Sequence, residues 1–197
     1  MDAGVIILAG GKSSRMGQNK ALLPINGLAN IERIKNQLAS TFENIILVTN
    51  DKEKYRFLNI PTVSDNYENK GPLAGIEAGL LASNNDVNIV VACDMPFISM
   101  SLARLLVEQS VGYDAVVPLI NGKQHPLFAV YKKSVLAELV GCLHTNQLRV
   151  IHLLERIKVN YVSEEKLLNK EIDNIDQIFY NMNHPSEYEE AKKLAEK

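Results

Sequence analysis

Short apolar runs that stop abruptly on a polar or acidic residue recur along this chain, and between them apolar positions return at helical spacing. Residues 5–8 (VIIL) are continuously aliphatic, the mark of a strand buried on both faces. The runs 43–50 (ENIILVTN), 62–66 (TVSDN) and 88–97 (NIVVACDMPF) read as strands with Asn50, Asp65 and Asp94 at their ends, and 114–119 (DAVVPL) reads as a further strand. Between them Ile31, Ile34 and Leu38 share one face of a helix over 29–40, and a short helical piece covers 52–58. Gly71-Pro72 opens another helix, whose Ala74, Gly75, Ala78 and Gly79 suit close packing. Ser99 or Ser101 can cap a helix near 101–110. This alternation predicts an α/β fold in three layers: a mostly parallel sheet covered on both faces, with right-handed crossovers. Ligands of such sheets collect beyond the strands' carboxyl ends, so Leu8 to Gly11, Asn50, Asp65 and Asp94 are expected on one rim.

From residue 121 the pattern changes. Residues 123–131 (KQHPLFAVY) form a strand introduced by His125-Pro126, and the proline predicts an edge position or a late start. A helix over 133–142 is followed by a second over 148–157, where Val150, Leu153, Leu154 and Ile157 recur, and then by a strand at 158–163. Residues 164–177 are charged and read as loop; residues 178–183 (IFYNMN) lead to a terminal helix from Pro185 with an exposed charged face. With no repeat, low-complexity segment or linker, one domain over 1–197 is expected, divided into parts 1–120 and 121–197.

Charge narrows what such a rim could bind. The formal net charge is −2, which excludes the broad basic field of a nucleic-acid binder. The basic residues that matter are local: Lys12, Arg15 and Lys20 follow Gly10-Gly11, where the backbone can turn and offer N–H groups to an anion. Two better-known phosphate loops fail. The first glycine of a P-loop would fall on Ile6, and after Gly11 the next glycine is Gly17, which breaks the dinucleotide fingerprint. His144, His152, Cys93 and Cys142 lack the spacing of a zinc set. Two cysteines, the absence of a basic leader and the shortness of the first apolar run predict a cytoplasmic protein that neither spans nor joins a membrane.

Residues 8–23 (LAGGKSSRMGQNKALL) match the nucleotidyltransferase pattern L-A-G-G-x-S-x-R-M-G-x-x-K. Together with GPLAGI (71–76), CDMPF (93–97), HPLFAVY (125–131), LRVIHLLE (148–155) and FYNMNHPSEYEEA (179–191), they make the chain resemble the molybdenum cofactor guanylyltransferases over nearly its whole length. That family sits among nucleotidyltransferases with a Rossmann-like, glycosyltransferase-A-like sheet. The resemblance implies transfer of GMP from GTP to the phosphate of molybdopterin or molybdenum cofactor, with release of pyrophosphate and with Mg²⁺. It also implies molybdoenzyme-maturation proteins as partners. By the same resemblance Leu8, Ala9, Gly10 and Gly11 offer backbone to the nucleotide, Lys20 meets the GTP phosphates, and Arg15 holds the leaving pyrophosphate. Asp94 holds the metal, and Asp65, an acceptor when ionised, suits guanine's N–H edge or a ribose hydroxyl. Residues 1–120 then form the nucleotide-binding part and 121–197 the acceptor side, with His125, Asn181 and Asn183 in the pterin pocket.

Two departures from the family pattern carry expectations. His184 stands where the family has a threonine before the last helix, removing a conventional cap. Neither Asp173 nor Asp176 is a convincing second metal carboxylate. The rival readings are a cytidylyltransferase acting on the same pterin or on a sugar or polyol phosphate, and a catalytically inactive nucleotide-binding regulatory module. CDMPF favours the guanylyl branch over the first; intact Lys20 and Asp94 argue against the second.

Overall fold

The computed structural model describes residues 2–10, 19–67 and 69–196. Strand β1 (Gly4–Leu8) is followed by a small hairpin, β2 (Pro24–Ile25) and β3 (Leu28–Ala29), then α1 (Asn30–Ala39), β4 (Ile45–Val48) and β5 (Thr62–Val63). Next come α2 (Pro72–Ala82), β6 (Val87–Ala92), α3 (Met100–Glu108) and β7 (Ala115–Ile120). The last part of the chain contains β8 (Lys123–Gln124), β9 (Phe128–Lys132), α4 (Leu136–His144), α5 (Val150–Leu154), β10 (Val159–Ser163), α6 (Glu164–Leu168), α7 (Ile175–Ile178) and α8 (Pro185–Ala195).

The main sheet has the order β10-β7-β9-β6-β1-β4-β5, with β8 paired to β7. Strand β1 is parallel to both neighbours, with Leu8 opposite Val48 on one side and Ala92 on the other, and β5 continues the parallel set beside β4. Strand β9 runs antiparallel to β6 and to β7, while β10 is parallel to β7. The α/β class and the mostly parallel sheet therefore agree with the hydropathy pattern. The strands contributed by residues 121–197 pair directly with those of residues 1–120, so the two parts share this sheet.

Side-chain alternation builds a core on each face of the sheet. Val5, Ile7, Ile89, Val91, Phe128 and Val130 join the residues of α1 and α3 on one face, whereas Ile6, Leu8, Val90, Ala129 and Tyr131 join α2, α4 and α5 on the other. This two-sided burial explains why β1 has no polar position. It also overturns the edge placement expected for the strand after Pro126: β9 lies inside the sheet, hydrogen-bonded on both sides. The proline causes only the late start, because it falls two residues before the ladder and removes no rung from it.

Two further expectations change. Residues 164–177 are not all loop: α6 forms there and α7 begins there, and Leu167, Ile172 and Ile175 are buried. Ser163 caps α6 by accepting the Lys166 N–H at 3.4 Å, and the few apolar residues pack although charged neighbours hide their periodicity. The helix read over 148–157 is shorter, Val150–Leu154, with Ile157 still packed against the core. Ser99 is the cap of α3, accepting from Leu102 N–H at 3.2 Å.

The small residues of α2 have a specific use. A Cβ on Gly79 would overlap Ile6 Cγ2, whereas one on Gly75 would lie 3.1 Å from Leu8 Cδ2, the end of a longer side chain. Gly79→Ala is therefore expected to lose about 1–3 kcal/mol to overpacking, partly offset by the roughly 1 kcal/mol of helix propensity that alanine adds. Gly75→Ala is expected to be nearer neutral. Thermal melts of the two variants check this: Gly79→Ala should melt lower than both wild type and Gly75→Ala.

Candidate active site at the carboxyl ends of the strands

Because β6, β1, β4 and β5 are parallel neighbours, their carboxyl ends open on one rim about three strand spacings, roughly 14 Å, across. The ladder is tight up to the edge: Ala9 N–H donates to Val48 O (2.9 Å), Cys93 N–H to Leu8 O (3.1 Å) and Thr49 N–H to Val63 O (2.9 Å). Leu8 and Ala9 are buried and Gly10 is exposed. Gly10 lies outside the left-handed region, and among the described residues a Cβ there would meet nothing within 4 Å. The need for glycine here is therefore not a turn that only glycine can make. Gly11 and Arg15 lie outside the described residues.

Asp94 is held at the β6 end by its backbone. The preceding carbonyl, Cys93 O, accepts from the buried Asn30 Nδ2 at 2.8 Å, and Asp94 O accepts the Met182 N–H at 2.9 Å. Burial pushes the Asp94 carboxyl above its usual range; the nearby Lys20 charge pulls it back, and Glu187 pushes it up further. Among the described residues, burial outweighs the positive charge that Lys20 brings to this carboxylate. Among the described residues no group of three or more His, Cys, Asp or Glu converges on one point, so Asp94 would be a lone protein carboxylate to any ion. That donor set fits Mg²⁺, which binds through one or two carboxylates together with substrate phosphates and retained waters. Burial and Asp94 push the adjacent Cys93 thiol up to about 12, which removes it as a nucleophile.

Lys20 begins a single 3₁₀ turn, Lys20–Leu22, whose cap is Asn19: its Oδ1 accepts Ala21 N–H at 3.1 Å while its Nδ2 donates to Tyr55 Oη at 2.8 Å. The Lys20 ammonium donates to Asn183 Oδ1 at 2.8 Å, reaching across 163 positions of sequence. The segment before α8 is thereby tied to the rim twice, at Lys20 and, through Met182, at Asp94. Glu187 holds it from the other side by accepting the N–H groups of Asn183 and, at 2.8 Å, His184. The helix thus recovers with Glu187 part of the capping that His184 was expected to cost it.

His125 packs its ring on Phe179 with centroids 4.2 Å apart, and Phe179 in turn approaches Phe128 at 6.1 Å. Burial, with Lys123 nearby, pushes the His125 imidazole down to about 4. Asn181 turns its amide onto the chain, donating to Phe179 O at 3.1 Å. The structure therefore brings Lys20, Asp94 and Asn183 together, with His125 joined through Phe179. Asp65 belongs to the far end of the rim, beyond β5, where Asn50 Nδ2 donates to its Oδ2 at 3.0 Å.

Several contributors are not apparent from the first reading of the chain. Asn19 immediately before a lysine-led turn and Glu187 at the third position of a helix are recognisable capping signals. Asn30 carries none, because its contact to Cys93 O spans 63 positions and exists only once α1 packs beside β6.

A family model described as "MobA-like NTP transferase domain" matches residues 5–158. The chain is 41% identical over 191 residues to a "probable molybdenum cofactor guanylyltransferase" of Pelotomaculum thermopropionicum, covering 97% of this chain and 92% of that protein. It is 37% identical over 190 residues to a protein of the same description from Carboxydothermus hydrogenoformans, covering 96% and 95%. Among solved structures, molybdopterin-guanine dinucleotide biosynthesis protein A of Archaeoglobus fulgidus superposes with a TM-score of 0.85 at 26% identity, covering 98% of each chain. A shared rim, a half-buried aspartate under the influence of a lysine, and similarity over nearly the full length lead to one conclusion: this chain belongs to the MobA-like NTP transferase domain family and is a nucleotidyltransferase.

Proposed function

We propose that the protein transfers GMP from GTP to the terminal phosphate of molybdopterin, in its free or molybdenum-loaded form, yielding the guanine dinucleotide and pyrophosphate. The observation that carries this reading is that one segment ties both candidates, Asn183 Oδ1 accepting from Lys20 and Met182 N–H donating to Asp94 O, in a chain whose full-length relatives are named for that reaction. The acceptor phosphate oxygen attacks the α-phosphorus in line; the bond to the β-phosphate oxygen breaks, and pyrophosphate leaves with that electron pair. Such a displacement asks the protein for alignment and charge compensation rather than a covalent intermediate.

Each residue then has a task. Leu8, Ala9 and Gly10 present backbone to the nucleotide, Gly10 being the exposed member of the three. Lys20 lies against the phosphates and Asp65 accepts from the nucleoside. Asp94 would hold Mg²⁺, whose chemistry is to neutralise phosphate charge. Gly11 and Arg15 are assigned the nucleotide backbone contact and the leaving pyrophosphate. On the acceptor side we place His125, Asn183 and Asn181, the first as a ring kept neutral against Phe179. Within one domain, residues 1–120 bind nucleotide and residues 121–197 bind the pterin. Among the described residues no helix is long and apolar enough to cross a membrane, which suits cytoplasmic substrates and hand-over to molybdoenzyme-maturation proteins.

Pyrophosphate release from each of the four NTPs, with and without molybdopterin, is the test. GTP should exceed the others by at least about tenfold, equivalent to roughly 1.4 kcal/mol, and only with the pterin present. Comparable use of CTP would overturn the guanine assignment.

Asp94→Asn and Lys20→Ala separate chemistry from folding. The raised folded-state pKa of Asp94 means that the folded chain holds this proton more tightly than the unfolded one, so its contribution to stability falls as pH rises through that interval. At pH 7 Asp94→Asn should therefore melt no lower than wild type. Its single-turnover transfer at limiting Mg²⁺ should nevertheless fall by about 10²-fold or more, as should that of Lys20→Ala, the scale of losing one preorganised transition-state contact.

For His125 the sign is the reverse. Its imidazole is depressed from 6.5 to about 4, so the stability it contributes as a neutral ring is present above pH 6.5 and is lost as pH falls towards about 4. Wild type should lose more melting temperature between pH 7.5 and pH 5 than His125→Gln does, and transfer should show no inflection from His125 between pH 5 and 8.

A further inference from the structure

The last rung between β4 and β5 is made by side chains. Backbone pairing runs through Leu47 N–H to Pro61 O and Thr49 N–H to Val63 O, both 2.9 Å, and then stops. One residue further on, the Asn50 amide takes over: its Oδ1 accepts Asp65 N–H at 3.2 Å and its Nδ2 donates to Asp65 Oδ2 at 3.0 Å. An asparagine side chain carries both an acceptor and donors, which this double contact requires; aspartate lacks the donor and alanine lacks both. The clasp occupies one carboxylate oxygen and leaves the other. Asp65 Oδ1 is shielded from solvent and has no hydrogen-bond partner among the described residues, and no lysine, arginine or histidine forms an ion pair with Asp65 there. A buried acceptor in this condition calls for a donor that the described residues do not supply. The next residue is pinned separately, Asn66 Nδ2 donating to the buried Glu77 of α2 at 3.0 Å, so the loop carrying Asp65 is fixed on both sides.

We propose that Asn50 is a positioning residue for nucleotide recognition: by clasping the backbone and one oxygen of Asp65, it presents the other oxygen to the N–H or O–H donors of the nucleoside. This rests on the nucleotidyl-transfer reading and adds to it the residue that sets Asp65. Since Asp65 is at the opposite end of the rim from Asp94, the effect concerns binding of the nucleoside and not the reacting phosphorus. An interaction of that kind is uniform between ground and transition state, so it appears in KM and not in kcat.

The experiment is a double-mutant cycle on the full chain, with GTP affinity measured by calorimetry in the absence of pterin and with steady-state transfer measured in its presence. Asn50→Ala is expected to weaken GTP about tenfold, raise its KM similarly and leave kcat within about threefold, with an unchanged melting temperature because Asn50 is exposed. Asn50→Asp, which keeps size but loses the donor, should do no better. In the Asp65→Ala background the Asn50→Ala change should cost nothing more, because its target is gone. Unaltered GTP affinity in Asn50→Ala, fully additive losses in the double variant, or a loss that follows melting temperature would each overturn the proposal. Failure of the wild type to bind GTP would overturn it together with the transfer reading, whereas wild-type binding with an unaffected Asn50→Ala protein overturns the clasp alone.

Discussion

The site hangs on the burial of β1. All five of its residues are buried, and their polar backbone groups can be satisfied only by strands on both sides. That requirement fixes β4 and β6 in parallel register, with Leu8 opposite Val48 and Ala92. It follows that Ala9 and Gly10 emerge between the segments that carry Asn50 and Asp94. A ligand bound there touches residues from distant parts of the chain because one strand has no face that tolerates water.

On that frame the charges are arranged economically. Asp94 is the poorly solvated carboxylate, with Lys20 near enough to moderate it but hydrogen-bonded to a neutral amide, Asn183. A lysine ion-paired to Asp94 would cancel the charge that a cation needs; one resting on an asparagine keeps its charge available to phosphate. The same tie binds the end of the chain to its beginning, and Met182 N–H on Asp94 O repeats it through the backbone. The terminal helix is therefore part of the site's support, held in place through Glu187.

Local pattern was informative where a physical need leaves a local trace. The buried strand of residues 5–8, the polar Asn50, Asp65 and Asp94 two places beyond the ends of β4, β5 and β6, the Pro72 helix start and the Ser99 cap all follow from neighbours in sequence. So does the family resemblance, since its motifs are contiguous. The carboxyl-end rim was legible because parallel α/β topology places strand ends together whatever the residues are. The edge placement of the strand after Pro126 failed for a reason of scale: proline reports on its own missing N–H, whereas the position of β9 is set by Phe128 to Tyr131, which need cover on both faces. The helices beginning within residues 164–177 leave no local trace, because three buried residues among many charges make no clear period.

By itself the sequence determined the fold class, the family resemblance and which carboxylates stand just beyond the strand ends, because secondary structure and strand termination are governed by neighbouring residues. Only the tertiary structure decided who holds whom: Asn183 on Lys20, Met182 and Asn30 around Asp94, Phe179 on His125, and Asn50 on Asp65. Those contacts join positions from 15 to 163 residues apart; all but the stacking of His125 on Phe179 depend on a donor meeting an acceptor within about 3 Å. No local pattern encodes such a meeting, because it exists only after the sheet has set the distances between its strands.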